Sequence, residues 1–163
     1  MTKAQKLLRL KAVDRKLLLK TLSLLWAIRL GLWILPFNRL RNLLVQWSSK
    51  PSDLPKANEF YRDRVSWAVA TAERFIPGKK TCLVQALAVQ VMLTRRALPA
   101  DLRLGVVKDE SEGLRAHAWV ESDGVIVIGG QGLEQYVPLK TSRESSRTPP
   151  SEPSPASPEE TDP

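Results

Sequence analysis

The sequence predicts an α+β domain, and three observations carry that prediction. Residues 57 to 76 show apolar positions at three- and four-residue spacing, CLVQALAVQVMLTRR is apolar almost all the way round, and from Asp101 the pattern changes to alternation. Helices first and strands later place the apolar helix against an antiparallel sheet, with further helices leading into it.

The first element is DRKLLLKTLSLLWAIRLGLWIL, residues 14 to 35, a long helix with Asp14 as its expected N-cap and Pro36 closing it. Its run from Leu22 to Leu35 is apolar except for Ser23, Arg29 and Gly31. That run falls short of the roughly twenty residues that cross a hydrocarbon core, and Arg29 sits in its middle, so a buried or interface helix is expected. The basic flanks Lys16, Lys20, Arg39 and Arg41 leave open a peripheral seat on an anionic bilayer. After Pro36, NRLRNLLVQW reads as a second helix capped by Asn38, and SSKPSDLPK as a Pro-rich connection. Residues 57 to 76 carry the stripe Tyr61, Val65, Ala68, Val69, Ala72, Phe75 and Ile76, an amphipathic helix ended by Pro77-Gly78.

The central helix is expected from Thr81 to about Arg96. Three strands follow, LRLGVV, LRAHAWVE and VIVIG, the last two joined by the turn dipeptide Asp123-Gly124. If that turn has two residues, Ser122 pairs with Val125 and His117 falls opposite Gly130. The tail from Thr141 holds half of the twelve prolines and no apolar residue larger than alanine, so it is expected to be disordered. Three regions result: 1–56, helical and suited to docking a partner, substrate or membrane surface; 57–140, the core; and 141–163, the tail.

Charge divides along the same line. Five acids and two arginines follow Thr141, giving the tail −3 and the rest of the chain +11. A body so basic attracts an anionic partner, but its cations are dispersed and no aromatic-interleaved or helix-turn-helix signature accompanies them, so nucleic acid is not expected. One cysteine excludes an intramolecular disulfide, and with no secretory signal pattern a cytoplasmic home is expected. One histidine and one cysteine supply no metal-ligand set, and GGQG matches no phosphate-cradling motif, so neither metal nor cofactor is expected.

The chemistry-bearing residues are that single cysteine and that single histidine. Cys82 falls in the first turn of the central helix, behind Lys79 and Lys80, where opening amides and the helix dipole favour a thiolate. His117 falls in a strand of the sheet on which that helix packs. Each alone reads as an ordinary structural residue; their joint placement suggests a nucleophile and its base. Trp119, two residues beyond, shares the face of His117 and fills core or walls the site.

TCLVQALAVQVMLTRRALPADLRLGVVKD with LRAHAWVESDGVIVIG, and LPFNRLRNLL upstream, resembles the leader peptidases of lasso-peptide biosynthesis, the microcin-processing B proteins of the transglutaminase-like cysteine peptidase superfamily. The likeness spans roughly residues 10 to 139. It implies a transglutaminase- or papain-like core in which Cys82 is the nucleophile and His117 the general base and acid. The implied reaction removes the leader from a lasso precursor peptide. Its partners would be a leader-recognition protein and an asparagine-synthetase-like cyclase that closes the macrolactam. The family places an aspartate after the histidine strand, where this chain has the glycines Gly129 and Gly130. Gln131 is then the expected substitute for orienting His117, with Glu121, a backbone carbonyl or water as alternatives. Two other readings remain open: a transglutaminase-type acyl transferase, and a non-catalytic peptide-binding scaffold of the same fold.

Overall fold

A computed structural model describes residues 12–48, 60–77, 81–109 and 113–139. The expected Pro-rich connection, Lys79 and Lys80, and the tail lie outside the described residues. The elements are α1 (Ala12–Ile34), α2 (Phe37–Ser48), α3 (Phe60–Ala72) with a 3-10 turn at Glu73–Phe75, α4 (Cys82–Thr94), β1 (Asp101–Asp109), β2 (Gly113–Ser122), β3 (Val125–Ile128), a 3-10 turn at Leu133–Gln135, and β4 (Val137–Pro138). The sheet is antiparallel in the order β3-β2-β1-β4. The expected α+β arrangement is therefore present, with β4 an additional edge strand too short to leave a periodic signal.

α4 is the hub because its residues are apolar in every direction. Val84 and every residue from Ala86 to Leu93 are buried, and the helix packs on α1, α2 and α3 on one side and on the sheet on the other. One hydrophobic cluster runs from Leu18, Leu25 and Ile28 of α1 through Val65 and Val69 of α3 and Leu87 of α4 to Ala118 and Val120 of β2. The α3 stripe read from the sequence is the buried one, Val65, Ala68, Val69 and Ala72.

Three polar side chains in or beside this core are satisfied by backbone carbonyls. Thr21 on α1 is fully buried and donates to the Leu17 carbonyl at 2.8 Å, the back-bond that a helical threonine makes when water is excluded. Gln90 on α4 donates to the Ala100 carbonyl at 3.2 Å, and Ser66 on α3 donates to the Val127 carbonyl at 2.8 Å, tying helix to sheet.

Both expected N-caps are displaced. α1 already runs at Ala12, so Asp14 lies inside its first turn and its carboxylate pairs with Arg64 of α3. α2 starts at Phe37, and the Pro36 carbonyl accepts from the amides of Arg39 and Leu40, which leaves Asn38 within the helix. The two helices close on each other at Gly31, where an added Cβ would stand 2.8 Å from a Leu40 methyl.

α1 is long and apolar enough, by length and composition, to cross a membrane, with a mean hydropathy of 1.6. Its Leu18, Thr21, Leu25 and Ile28 face is packed within the fold, while Trp26, Leu30 and Trp33 are exposed. One face of the helix thus packs on the core while most of its surface is open.

α4 ends in a paired closure: the Leu98 amide reaches the Leu93 carbonyl at 3.1 Å and the Ala97 amide reaches Thr94 at 3.0 Å, with Ala97 left-handed at φ 56°. This geometry normally takes glycine, and Pro99 then keeps the chain from continuing as helix. The predicted hairpin turn is also present. Asp123 and Gly124 have φ of 50° and 77°, the two positive values that a two-residue turn of matching twist requires. Asp123 also pairs with the buried Arg62 of α3, anchoring the turn to the helical layer.

Candidate active site

Cys82 is the first residue of α4 and is half-buried against the core cluster. Thr81 precedes it in an extended conformation and makes no side-chain cap. The opening amides of the helix, which have no intrahelical acceptor, are therefore not capped by that side chain.

His117 is placed by β2 opposite Gly105 of β1. Its Nε2 lies 2.8 Å from the Gly129 carbonyl oxygen. A carbonyl only accepts, so the neutral ring carries its proton on Nε2 and its lone pair on Nδ1. That is the tautomer a general base needs, with Nδ1 left to take a proton.

The expected orienter is corrected by this bond. Gln131 is exposed, and the partner of His117 is the backbone of Gly129. Strand register does not bring that carbonyl in. A register shift between Val120 and Glu121 pairs Val120 with Ile128, which moves the position counted opposite His117 from Gly130 to Gln131, away from Gly129. Gly129 then turns at φ 80°, and a Cβ there would stand 2.7 Å from the Ala118 carbonyl oxygen and 2.9 Å from the Trp119 Cβ. No aspartate fits at 129 in this conformation.

Glu121, the other acid on this face, is engaged elsewhere. It accepts from Trp119 Nε1 at 2.9 Å and pairs with Arg103 Nε at 3.3 Å. Trp119 is buried, with its ring stacked at 6.3 Å from that of His117, and Tyr136 tilts against the imidazole at 5.0 Å. Gly105 makes room for both aromatics, since a Cβ there would lie 3.0 Å from each. Tyr136 carried no distinguishing signal in the sequence; it reaches the site through the turn that leads into β4.

The relation of histidine to helix is less direct than the sequence suggested. Ala118 and Val120 face the helical layer, so alternation puts His117 on the other face of β2, with Trp119 and Glu121. β3 pairs with β2 no further than Val120, so His117 lies beyond the stretch of β2 that β3 covers. Among the described residues no hydrogen bond joins the Cys82 thiol to the imidazole. No group of three or more His, Cys, Asp or Glu side chains suited to a metal ion occurs among the described residues.

Neither a curated protein nor a solved structure matches the chain. The family model described as transglutaminase-like superfamily matches residues 22–141, nearly three quarters of the sequence and the span that holds Cys82, His117 and all four strands. That match covers well over half of the chain: the chain belongs to the transglutaminase-like superfamily, whose members are broadly cysteine peptidases and acyltransferases.

Proposed function

We propose that this protein is a cysteine endopeptidase that removes the leader from a ribosomally made lasso-peptide precursor. The observation that carries the reading is the Nε2 bond from His117 to Gly129, because it leaves Nδ1 as the ring's proton acceptor in a fold of this superfamily. The likeness of TCLVQALAVQV and AHAWVE to the lasso leader peptidases supplies the substrate class.

In this reading His117 Nδ1 takes the thiol proton, and the Cys82 sulfur attacks the scissile carbonyl carbon. The tetrahedral oxyanion is held by amides at the start of α4. Collapse expels the amine, which receives the proton from His117, and water resolves the thioester to free acid and thiol. The pair must come within hydrogen-bond reach for this, which, with His117 on the face of β2 away from the helical layer, requires a rearrangement at that stretch of the strand when substrate binds. No cofactor is required. The precursor, a leader-recognition protein and a cyclase that closes the macrolactam are the proposed partners, and the open α1 face at Trp26, Leu30 and Trp33 offers a surface for one of them.

The test is mass spectrometry of a lasso precursor incubated with its recognition protein and this chain. Cys82→Ala and His117→Ala should each reduce product by about 10³-fold or more, as removal of either member of a catalytic pair does. Gln131→Ala should cleave as the wild type does, because the Gly129 carbonyl already orients the ring. Cleavage by Cys82→Ala at the wild-type rate would refute the peptidase and favour the scaffold. An amine adduct in place of the free acid would assign acyl transfer.

A further inference from the structure

The helical surface next to Cys82 is open and apolar. A pocket of about 680 Å³, within the usual size of a small-ligand site, lies between the second half of α1 and the first turn of α4. Among the described residues that line it are Trp26, Leu30 and Trp33 of α1 and Val84 of α4, with Arg29 and Thr81 as its polar members. Thr81 immediately precedes Cys82, so the pocket begins one peptide unit, about 3.8 Å between Cα atoms, from the candidate nucleophile.

Packing within the fold does not account for that wall. α1 meets the core through Leu18, Thr21, Leu25 and Ile28, whereas Trp26, Leu30 and Trp33 follow one another at four- and three-residue spacing along a different face. They are 47, 53 and 85 % exposed. Two tryptophans and a leucine left in water on one pocket wall forgo the burial that drives folding, and an apolar patch of this kind marks a surface that another molecule covers. Its place beside Cys82 decides which molecule. An extended peptide advances about 3.3–3.6 Å per residue, so with the carbonyl under attack at Cys82, side chains within two residues of the scissile bond reach the pocket.

We propose that this pocket takes one bulky apolar or aromatic side chain of the substrate peptide, from a residue within two positions of the bond that is cleaved. The occupant's identity as a substrate rests on the peptidase reading. Trp26, Leu30 and Trp33 then determine specificity: the two indoles and the leucine pack on a large apolar side chain, while a small one leaves them in water and gains nothing there.

Cys82 is the single cysteine of the chain, so alkylation reads the pocket without any need for turnover. Iodoacetamide and N-(2-phenylethyl)iodoacetamide carry the same electrophile, and with each the thiolate displaces iodide to form a thioether. Relative to their rates with free cysteine, the aromatic reagent should modify the full chain about tenfold faster or more and should saturate, the gain from burying about half of a phenyl group. Trp33→Ala and Leu30→Ala should each lower that ratio by about threefold or more. Leu19→Ala, exposed on α1 outside the pocket, should keep it. In the cleavage assay, alanine in place of one apolar precursor residue within two positions of the scissile bond should lower kcat/KM by about tenfold in the wild type and much less in Trp33→Ala. The proposal is overturned if Cys82 resists both reagents, if the ratio is near one, or if both pocket variants keep it. Phosphatidylglycerol vesicles that bind the wild type and not Trp33→Ala, with the ratio unchanged, would assign the face to a lipid surface and overturn it as well. A high ratio that both pocket variants lower, with no precursor cleaved, would uphold the pocket and refute the peptidase alone; cleavage with a ratio near one would refute the pocket alone.

Discussion

Replacing Gly129 by alanine tests the turn that brings a carbonyl to His117. Two costs act on that variant. A Cβ at φ 80° costs about 1–2 kcal/mol by left-handed sterics. The same Cβ would stand 2.7 Å from the Ala118 carbonyl oxygen and 2.9 to 3.0 Å from the Cβ and Cα of Trp119, and forcing apart such a contact with backbone costs about 1–3 kcal/mol more. The expected destabilisation is therefore about 2–5 kcal/mol. Gly124→Ala is the matched control: its φ is 77°, and nothing lies within 4 Å of its added Cβ, so only the first cost of about 1–2 kcal/mol applies. The entropy lost by the unfolded chain on gaining a methyl is common to both variants and cancels in their difference. Urea unfolding followed by circular dichroism, read as midpoints at a shared m-value, measures that difference. Agreement of the two variants within about 0.5 kcal/mol, smaller than the lower bound on the contact cost, would show that Gly129 does not press on β2 and would refute the carbonyl-for-carboxylate reading.

Ala97→Gly should stabilise the protein by about 0.5–1 kcal/mol, because relief of a left-handed alanine closing α4 exceeds the added freedom of the unfolded glycine, and the same unfolding assay reads it. Lys20→Met should stabilise at neutral pH, with the advantage shrinking as pH climbs towards 10.5. The folded pKa of Lys20 is lowered, by burial first and then by Arg95 and Arg96, so above it the unfolded chain binds more protons and wild-type stability rises with pH. Tyr61, whose pKa burial raises, contributes the opposite slope above pH 10.0 but does so equally in both proteins, so the difference between their urea midpoints at pH 7 and pH 10 isolates the lysine.

What the sequence disclosed follows from where the physics is local. α4 was legible because all-round apolarity leaves a helix no solvent face, and the β2–β3 turn was legible because Asp-Gly is among the few dipeptides that tolerate two positive φ values. Helix starts were not, because Asp14 is a good cap in isolation but finds a stronger partner in Arg64, fifty residues away in sequence. The cation cluster was equally hidden, since Lys20 joins Arg95 and Arg96 only once α1 packs along α4.

The site shows the sharpest form of this limit. A motif names side chains, and the group that orients His117 is a backbone carbonyl, which any residue type carries. The glycine that reads as a missing acid is at the same time the condition for that carbonyl's approach, because only a residue without a Cβ turns at φ 80° against Ala118 and Trp119. A positive φ next to a register shift cannot be counted from a two-residue turn. The signal that was available is the pair Gly129-Gly130 directly after a strand, which marks a place where one backbone comes close to another. Absence of an acid and presence of a close-approach glycine are one feature, and the carbonyl it admits fixes which ring nitrogen of His117 carries the proton in the neutral ring.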